Sequence, residues 1–210
     1  MMTNLPRSHG GRLPVGGALV GLTLALALAA GCTTPGSPTR APTATPPQPT
    51  SVPTAAASPP AFVCGQPVMQ AGSVPTARMS GFAAANANGV GRIEFTFRPE
   101  GNVAAVPQVT VKPVDPPFTM DPSGLPLSVI GTAFLQVVLQ GGTALDANME
   151  STFEGPFDAA PNGSPIVEVK RAGDFEAVST FIVGLDGPAC VRILPPDGSS
   201  HLVIEIQAGP

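Results

Sequence analysis

Gly91-Arg92-Ile93-Glu94-Phe95-Thr96-Phe97 alternates strictly, with Ile93, Phe95 and Phe97 on one side and Arg92, Glu94 and Thr96 on the other. Side chains of an extended strand point to opposite faces in turn, so this stretch reads as a half-buried β-strand. The pattern returns at the end of the chain, where Leu202, Ile204 and Ile206 oppose Val203, Glu205 and Gln207. It also appears from Gly131 to Leu139, with Ala133, Leu135, Val137 and Leu139 sharing a face and Gly141-Gly142 ending the run.

Further strands are expected at Val109 to Val114, Ile166 to Lys170, Phe175 to Val183 and Ala189 to Leu194, with a weaker one at Ser151 to Glu154. Leu125 to Val129 follows the turn signal Asp121-Pro122-Ser123-Gly124, and its Pro126 marks it as an edge, because proline has no N–H to give a ladder. Ala83 to Gly91, made of small residues, reads as a loop or turn. About eight or nine short strands with no helix longer than two turns predict an all-β chain: a single β-sandwich or barrel-like domain over 61–210. About 150 residues are enough to bury roughly 68–70% of the unfolded surface in one core.

Ahead of that domain, residues 33 to 60 hold nine prolines and seven threonines among Ala and Ser. They offer almost nothing large and apolar to bury, so a disordered linker is expected. Proline density favours extended polyproline II, at about 3.1 Å per residue, giving a spacer of up to roughly 85 Å. Residues 1 to 31 contain Arg7, Arg12 and an apolar run strongest from Leu19 to Ala30, and they end Leu28-Ala29-Ala30-Gly31 directly before Cys32. This is too short and too rich in glycine for a spanning helix, and it resembles a bacterial lipoprotein signal peptide. The resemblance implies cleavage before Cys32 and lipid on its sulfur, with Ala29 where such signals usually carry Leu. Two acyl chains are the number needed for stable attachment to a membrane.

Without residues 1–31 the chain keeps eight Lys/Arg against fourteen Asp/Glu. No basic stripe exists to neutralise phosphates, which argues against nucleic acid as a partner. Three cysteines are present. With Cys32 assigned to lipid, Cys64 and Cys190 remain as a pair in an oxidising, exported compartment, and a disulfide between them is expected.

Residues with chemical potential are few. His201 is the only histidine after the signal, and as a general base it would need a nucleophile and an orienting acid that no motif supplies. Asp174 and Glu176 flank Phe175 on an alternating stretch and are expected on one solvated face. Asp115, Asp121 and Asp197 sit in turns without the oxygen spacing of a calcium loop. One histidine and two bridged cysteines do not make a zinc set, and no metal or cofactor is expected. Phe95, Phe97 and Phe175 fit a core, whereas Phe118, Phe153 and Phe157 fall in or near loops and suit an exposed apolar surface.

Gly131 to Leu139, Gly173-Asp174-Phe175-Glu176-Ala177, Gly184-Leu185, Val191-Arg192-Ile193 and Leu202 to Ile206 together resemble the AMIN-like domain, over roughly Pro75 to Gln207. Ala177 stands where that family often has Gly, Glu205 where Asp is usual, and Ser200-His201 where a small residue is followed by Arg. The resemblance implies a β-sandwich module of exported envelope proteins and lipoproteins. Related domains on peptidoglycan amidases are thought to target the wall. It implies no catalytic motif and no ligand residues. The expected function is therefore a non-enzymatic lipoprotein that binds a cell-wall component, such as peptidoglycan, or an envelope protein. The alternative is a carrier holding a small apolar ligand in a β-barrel cavity. An enzyme would need a polar cleft gathering His201 with acidic residues.

Overall fold

The computed structural model describes residues 58–210. The signal segment, Cys32 and nearly all of the Pro/Thr-rich linker lie outside them. The described residues form strands joined by turns and loops, with no helix.

In chain order the strands are β1 (Val63–Cys64), β2 (Val68–Gln70), β3 (Ala77–Ala87), β4 (Val90–Phe97), β5 (Gln108–Pro113), β6 (Phe118–Thr119) and β7 (Pro126–Leu127). They continue with β8 (Ala133–Gln140), β9 (Gly142–Thr143), β10 (Ile166–Phe175), β11 (Val178–Leu185), β12 (Ala189–Ile193) and β13 (His201–Ala208). One sheet runs β1-β12-β13-β4-β3-β9, and a second runs β10-β11-β8-β5-β2. β6 and β7 pair only with each other. All ladders are antiparallel except the short β3–β9 contact.

The alternations read from the sequence decide what faces inward. Ile93, Phe95 and Phe97 of β4 and Leu202, Ile204 and Ile206 of β13 are buried, and Leu135, Val137 and Leu139 of β8 meet them from the second sheet. Phe95, Phe82 and Phe181 form a triangle with ring centroids 5.0–5.5 Å apart. Each fully buried side chain of this size contributes about 1.5–3 kcal/mol of hydrophobic stabilisation. This inter-sheet aromatic cluster is accordingly a main source of cohesion.

Four expectations are corrected. Ala83 to Ala87 is strand, and only Asn88 (φ 54°) and Gly89 (φ 76°) form the turn. Alanine carries little strand signal of its own, but β3 pairs with β4 from Gly81↔Thr96 to Ala87↔Val90, and the ladder overrides propensity. The stretch expected as a strand from Phe175 is instead split by a tight turn at Glu176 (φ 50°) and Ala177 (φ 58°) between β10 and β11. Ser151 to Glu154 is not a strand; Ser151 makes an isolated bridge to Leu145. Leu125 to Val129 shortens to β7, whose Pro126 pairs with Thr119.

Candidate functional site

The outer face of the first sheet carries a connected polar row. Alternation that buries Ile93 and Ile204 turns Arg92 and Glu94 of β4, and His201 and Glu205 of β13, to the outside. Antiparallel register sets Arg92 opposite Glu205, and Glu205 opposite Arg192 of β12. His201 Nδ1 lies 2.7 Å from Glu94 Oε1. Arg92 donates to Glu94 Oε2 at 3.2 Å and lies 3.6 Å from Glu205 Oε1. Arg192 binds Glu205 Oε2 through Nε at 2.7 Å and Nη2 at 2.6 Å. Its guanidinium also covers the Phe62 ring at 4.3 Å and donates to the Pro60 carbonyl.

Beside this row the exposed alanines 83, 85 and 87 of β3 leave a low, uncharged strip. The Cys64–Cys190 disulfide ties β1 to β12 at the other side of the sheet. Face and row together form a flat surface that offers donors and acceptors without a deep cavity.

His201 therefore has an acidic partner, but both side chains lie on an open face, with His201 42% exposed. The hydrogen bond from His201, helped by Arg92, holds the Glu94 carboxyl below its ordinary pKa. The neighbouring Ser200 hydroxyl accepts the Ala105 N–H and serves as a loop clasp.

Other singled-out residues are structural. Asp197 accepts hydrogen bonds from the Ser199 hydroxyl and N–H, which lower its pKa and close the turn before β13. Asp121 forms an isolated bridge with Gly173, its N–H bonding the Ala172 carbonyl. Asp115 is exposed on the loop after β5.

Asp174 and Glu176 do not share a solvated face. Asp174 is buried at the end of β10, accepting the Ala144 N–H at 2.7 Å, while Glu176 occupies the hairpin turn. Phe95 and Phe97 are core residues as expected, but Phe175 is 47% exposed, because the turn after it ends the sheet. Phe118, Phe153 and Phe157 are half-buried rather than an open apolar patch. Phe118 meets Phe134 edge-on at 5.0 Å, and Phe153 meets Phe157 at 4.9 Å with Arg171 over the Phe157 ring.

Where the two sheets part beside the disulfide, a half-open cavity of about 590 Å³ is walled by Phe134, Leu135, Leu185, Pro188 and Pro210. No sequence pattern announced it, since its walls come from five separate segments.

A family model for the AMIN-like domain matches residues 78–208. The chain belongs to the AMIN-like domain family. The match starts within β3 and closes on the last residue of β13, so it takes in the whole polar row. AMIN-like domains are generally non-catalytic binding domains associated with the cell envelope, and the chain is placed in that class. No curated protein and no solved structure matches it.

Proposed function

We propose that this protein is an envelope lipoprotein in which Cys32 carries the lipid, residues 32–60 act as a spacer, and the domain over 61–210 binds a cell-wall component or an envelope protein. The observation that carries this reading is the AMIN-like match across 78–208. The export signal, the Pro/Thr-rich stretch and a disulfide suited to an oxidising compartment agree with it. The outer face bearing Arg92, Glu94, His201 and Glu205 is the proposed contact surface. Its paired charges set geometry and orientation more than raw attraction.

Co-sedimentation of the full chain, in mild detergent, with purified wall sacculi tests the reading. Saturable pelleting that Arg92→Ala together with His201→Ala weakens at least fivefold is expected. A chain that stays in the supernatant while folded sets direct wall binding aside, and crosslinking on cells then identifies a protein partner. In the same cells, Cys32→Ala is expected to release the protein from the membrane fraction.

The cavity of about 590 Å³ favours a second reading, a carrier of a small apolar ligand. The core between the sheets is filled by buried side chains, so such a ligand would sit at the end of the sandwich rather than inside it. Native mass spectrometry of protein purified from its own cells tests this, and a mass equal to the bare lipidated chain rejects it.

A further inference from the structure

Between β5 and β8 the chain runs out over the outer face of the second sheet before it returns. The Val114 N–H donates to the Phe134 carbonyl of β8 at 3.1 Å, and the Asp121 N–H donates to the Ala172 carbonyl of β10 at 2.7 Å. Those two strands flank β11 in the sheet. Residues 115–120 therefore form a strap that crosses β11 and is fastened on either side of it. Phe118 packs edge-on against Phe134 at 5.0 Å, the β6–β7 ladder braces the strap, and the Met120 N–H donates to the Leu125 carbonyl. Gly173 lets its far end down onto β10, because a Cβ there would stand 2.7 Å from the Asp121 carbonyl oxygen.

Under the strap lies a half-open cleft of about 480 Å³, within the roughly 300–1,000 Å³ of small-molecule sites. Its floor is Gln136 of β8 with Thr180 and Ile182 of β11, and the strap and its far anchor add Asp115, Phe118, Thr119 and Asp121. Gln136 is directly opposite Ile182 in the β8–β11 ladder, so both share the outer face with Thr180. The two carboxylates, the two hydroxyls and the amide make no hydrogen bond among the described residues, and none of them is sealed from solvent. Fastening the strap uses the backbone of Asp121 and leaves its carboxylate free. A braced, concave wall thus holds five polar side chains ready, with the apolar Phe118 and Ile182 beside them.

No lysine or arginine lines the cleft, so an anion finds no charged partner there. A bare cation fits little better. Lys112 stands directly opposite Gln136 in the β5–β8 ladder, on the same face, and no group of three or more ligating side chains is gathered among the described residues. What suits the cleft is a neutral molecule whose groups both donate and accept. A hydroxyl has one donor and two acceptor lone pairs, so neighbouring hydroxyls on a ring can give to a carboxylate and take from an amide. The C–H face of the same ring can lie on Phe118 and Ile182. The geometry points to a binding site for a neutral saccharide, its hydroxyls meeting Asp115, Asp121, Gln136 and Thr180. This site is on the opposite sheet from the Arg92–Glu205 row. The source we commit to is uncharged wall polysaccharide, and for that source alone the inference rests on the wall-binding reading.

The test uses the ¹⁵N-labelled full chain in phosphocholine micelles, which carry no sugar, and follows the Thr119, Asp121, Gln136 and Thr180 amide resonances. The probe is the neutral oligosaccharide fraction freed by mild acid from walls stripped of peptide. The anionic fraction of the same digest and Nα-acetyl-lysine methylamide are the controls. Saturable shifts with the neutral fraction are expected, at least tenfold stronger than with either control. Gln136→Ala and Asp115→Asn are each expected to weaken them at least fivefold while resonances away from the cleft stay in place. If Gln136→Ala fails to fold, Thr180→Ala is read instead, with at least threefold weakening expected. No saturable shift with the neutral fraction, a response equal to that of a control, or indifference to the substitutions overturns the site. Pelleting with sacculi tests the source. A fivefold weaker pelleting of Asp115→Asn supports wall polysaccharide, and undiminished pelleting overturns that source. Oligosaccharide binding by a chain that ignores untreated sacculi rejects the wall reading and leaves the saccharide site standing, and pelleting without oligosaccharide binding does the reverse.

Discussion

The side-chain amide of Asn86 takes both backbone hydrogen bonds of Ile166. Asn86 Nδ2 donates to the Ile166 carbonyl at 2.8 Å, and the Ile166 N–H donates to Asn86 Oδ1 at 3.1 Å. A side chain of the first sheet thus acts as the missing ladder partner for the first residue of β10 in the second. Gly91 allows the approach, because a Cβ there would stand 2.5 Å from Ile166 Cγ1. Asn86 also donates to the Asn162 carbonyl at 3.2 Å, holding the loop before β10.

Replacing Asn86 with Ala leaves the N–H and carbonyl of a fully buried residue unpaired. Each such orphan costs about 1–3 kcal/mol, so a loss of about 2–6 kcal/mol is expected. Urea unfolding is expected to show a lower midpoint with an unchanged slope. Asn86→Asp keeps the acceptor for the Ile166 N–H but sets a carboxylate oxygen against the Ile166 and Asn162 carbonyls, so at neutral pH it is expected to be at least as destabilising as Asn86→Ala.

Ala177 is in the left-handed region at φ 58°, which costs a residue with a β-carbon about 1–2 kcal/mol. Glycine removes that strain but adds about 0.5–1 kcal/mol of unfolded-state entropy. Ala177→Gly is therefore expected to stabilise the fold by up to about 1 kcal/mol, a rise of about 2–4 °C in Tm. A Tm that falls would show that the turn is not strained.

The Cys64–Cys190 bond joins residues 126 apart in sequence. Chain-entropy arguments assign such a loop about 5 kcal/mol, and removal of native disulfides commonly costs 2–5 kcal/mol. The double variant Cys64→Ala, Cys190→Ala is expected to lose stability in that range. Reductant should destabilise the native chain and leave the double variant unchanged.

Glu94 is held below its ordinary pKa of 4.5, first by the hydrogen bond from His201 and then by Arg92. A carboxyl depressed in the folded state contributes stability that is fully present above its unfolded pKa and lost as pH falls through the folded value. Between pH 6 and pH 3 the native chain is expected to lose stability more steeply than Glu94→Gln, the difference opening below about pH 4.5. Parallel curves would show that the His201–Glu94 contact contributes nothing in solution.

The strands that carry the core were legible, because alternation in 91–97, 131–139 and 201–207 is a local record of which side is dry. β3 was not, since alanines at 83, 84, 85 and 87 look the same inside and outside, and only pairing with β4 makes them a strand. Phe175 was misplaced for the opposite reason. Alternation ran on through Glu176-Ala177, a turn with neither glycine nor proline to mark it. Asp174 reads in sequence as a surface charge, but its burial depends on Ala144 and Ser179, which are far from it in sequence or silent in pattern. Sites assembled across strands leave no trace in any one of them.

The disulfide also decides how the domain would bear load. A pull arriving through the residues ahead of Cys64 passes by the sulfur–sulfur bond straight into β12. The two-residue ladder of β1, which would unzip under slight tension, is relieved of it. Everything between the two cysteines, including β3 to β11, lies off the direct path when the far grip is at β13. The domain can then be tugged at that seam with β12 and β13 carrying the force and β3 to β11 spared it.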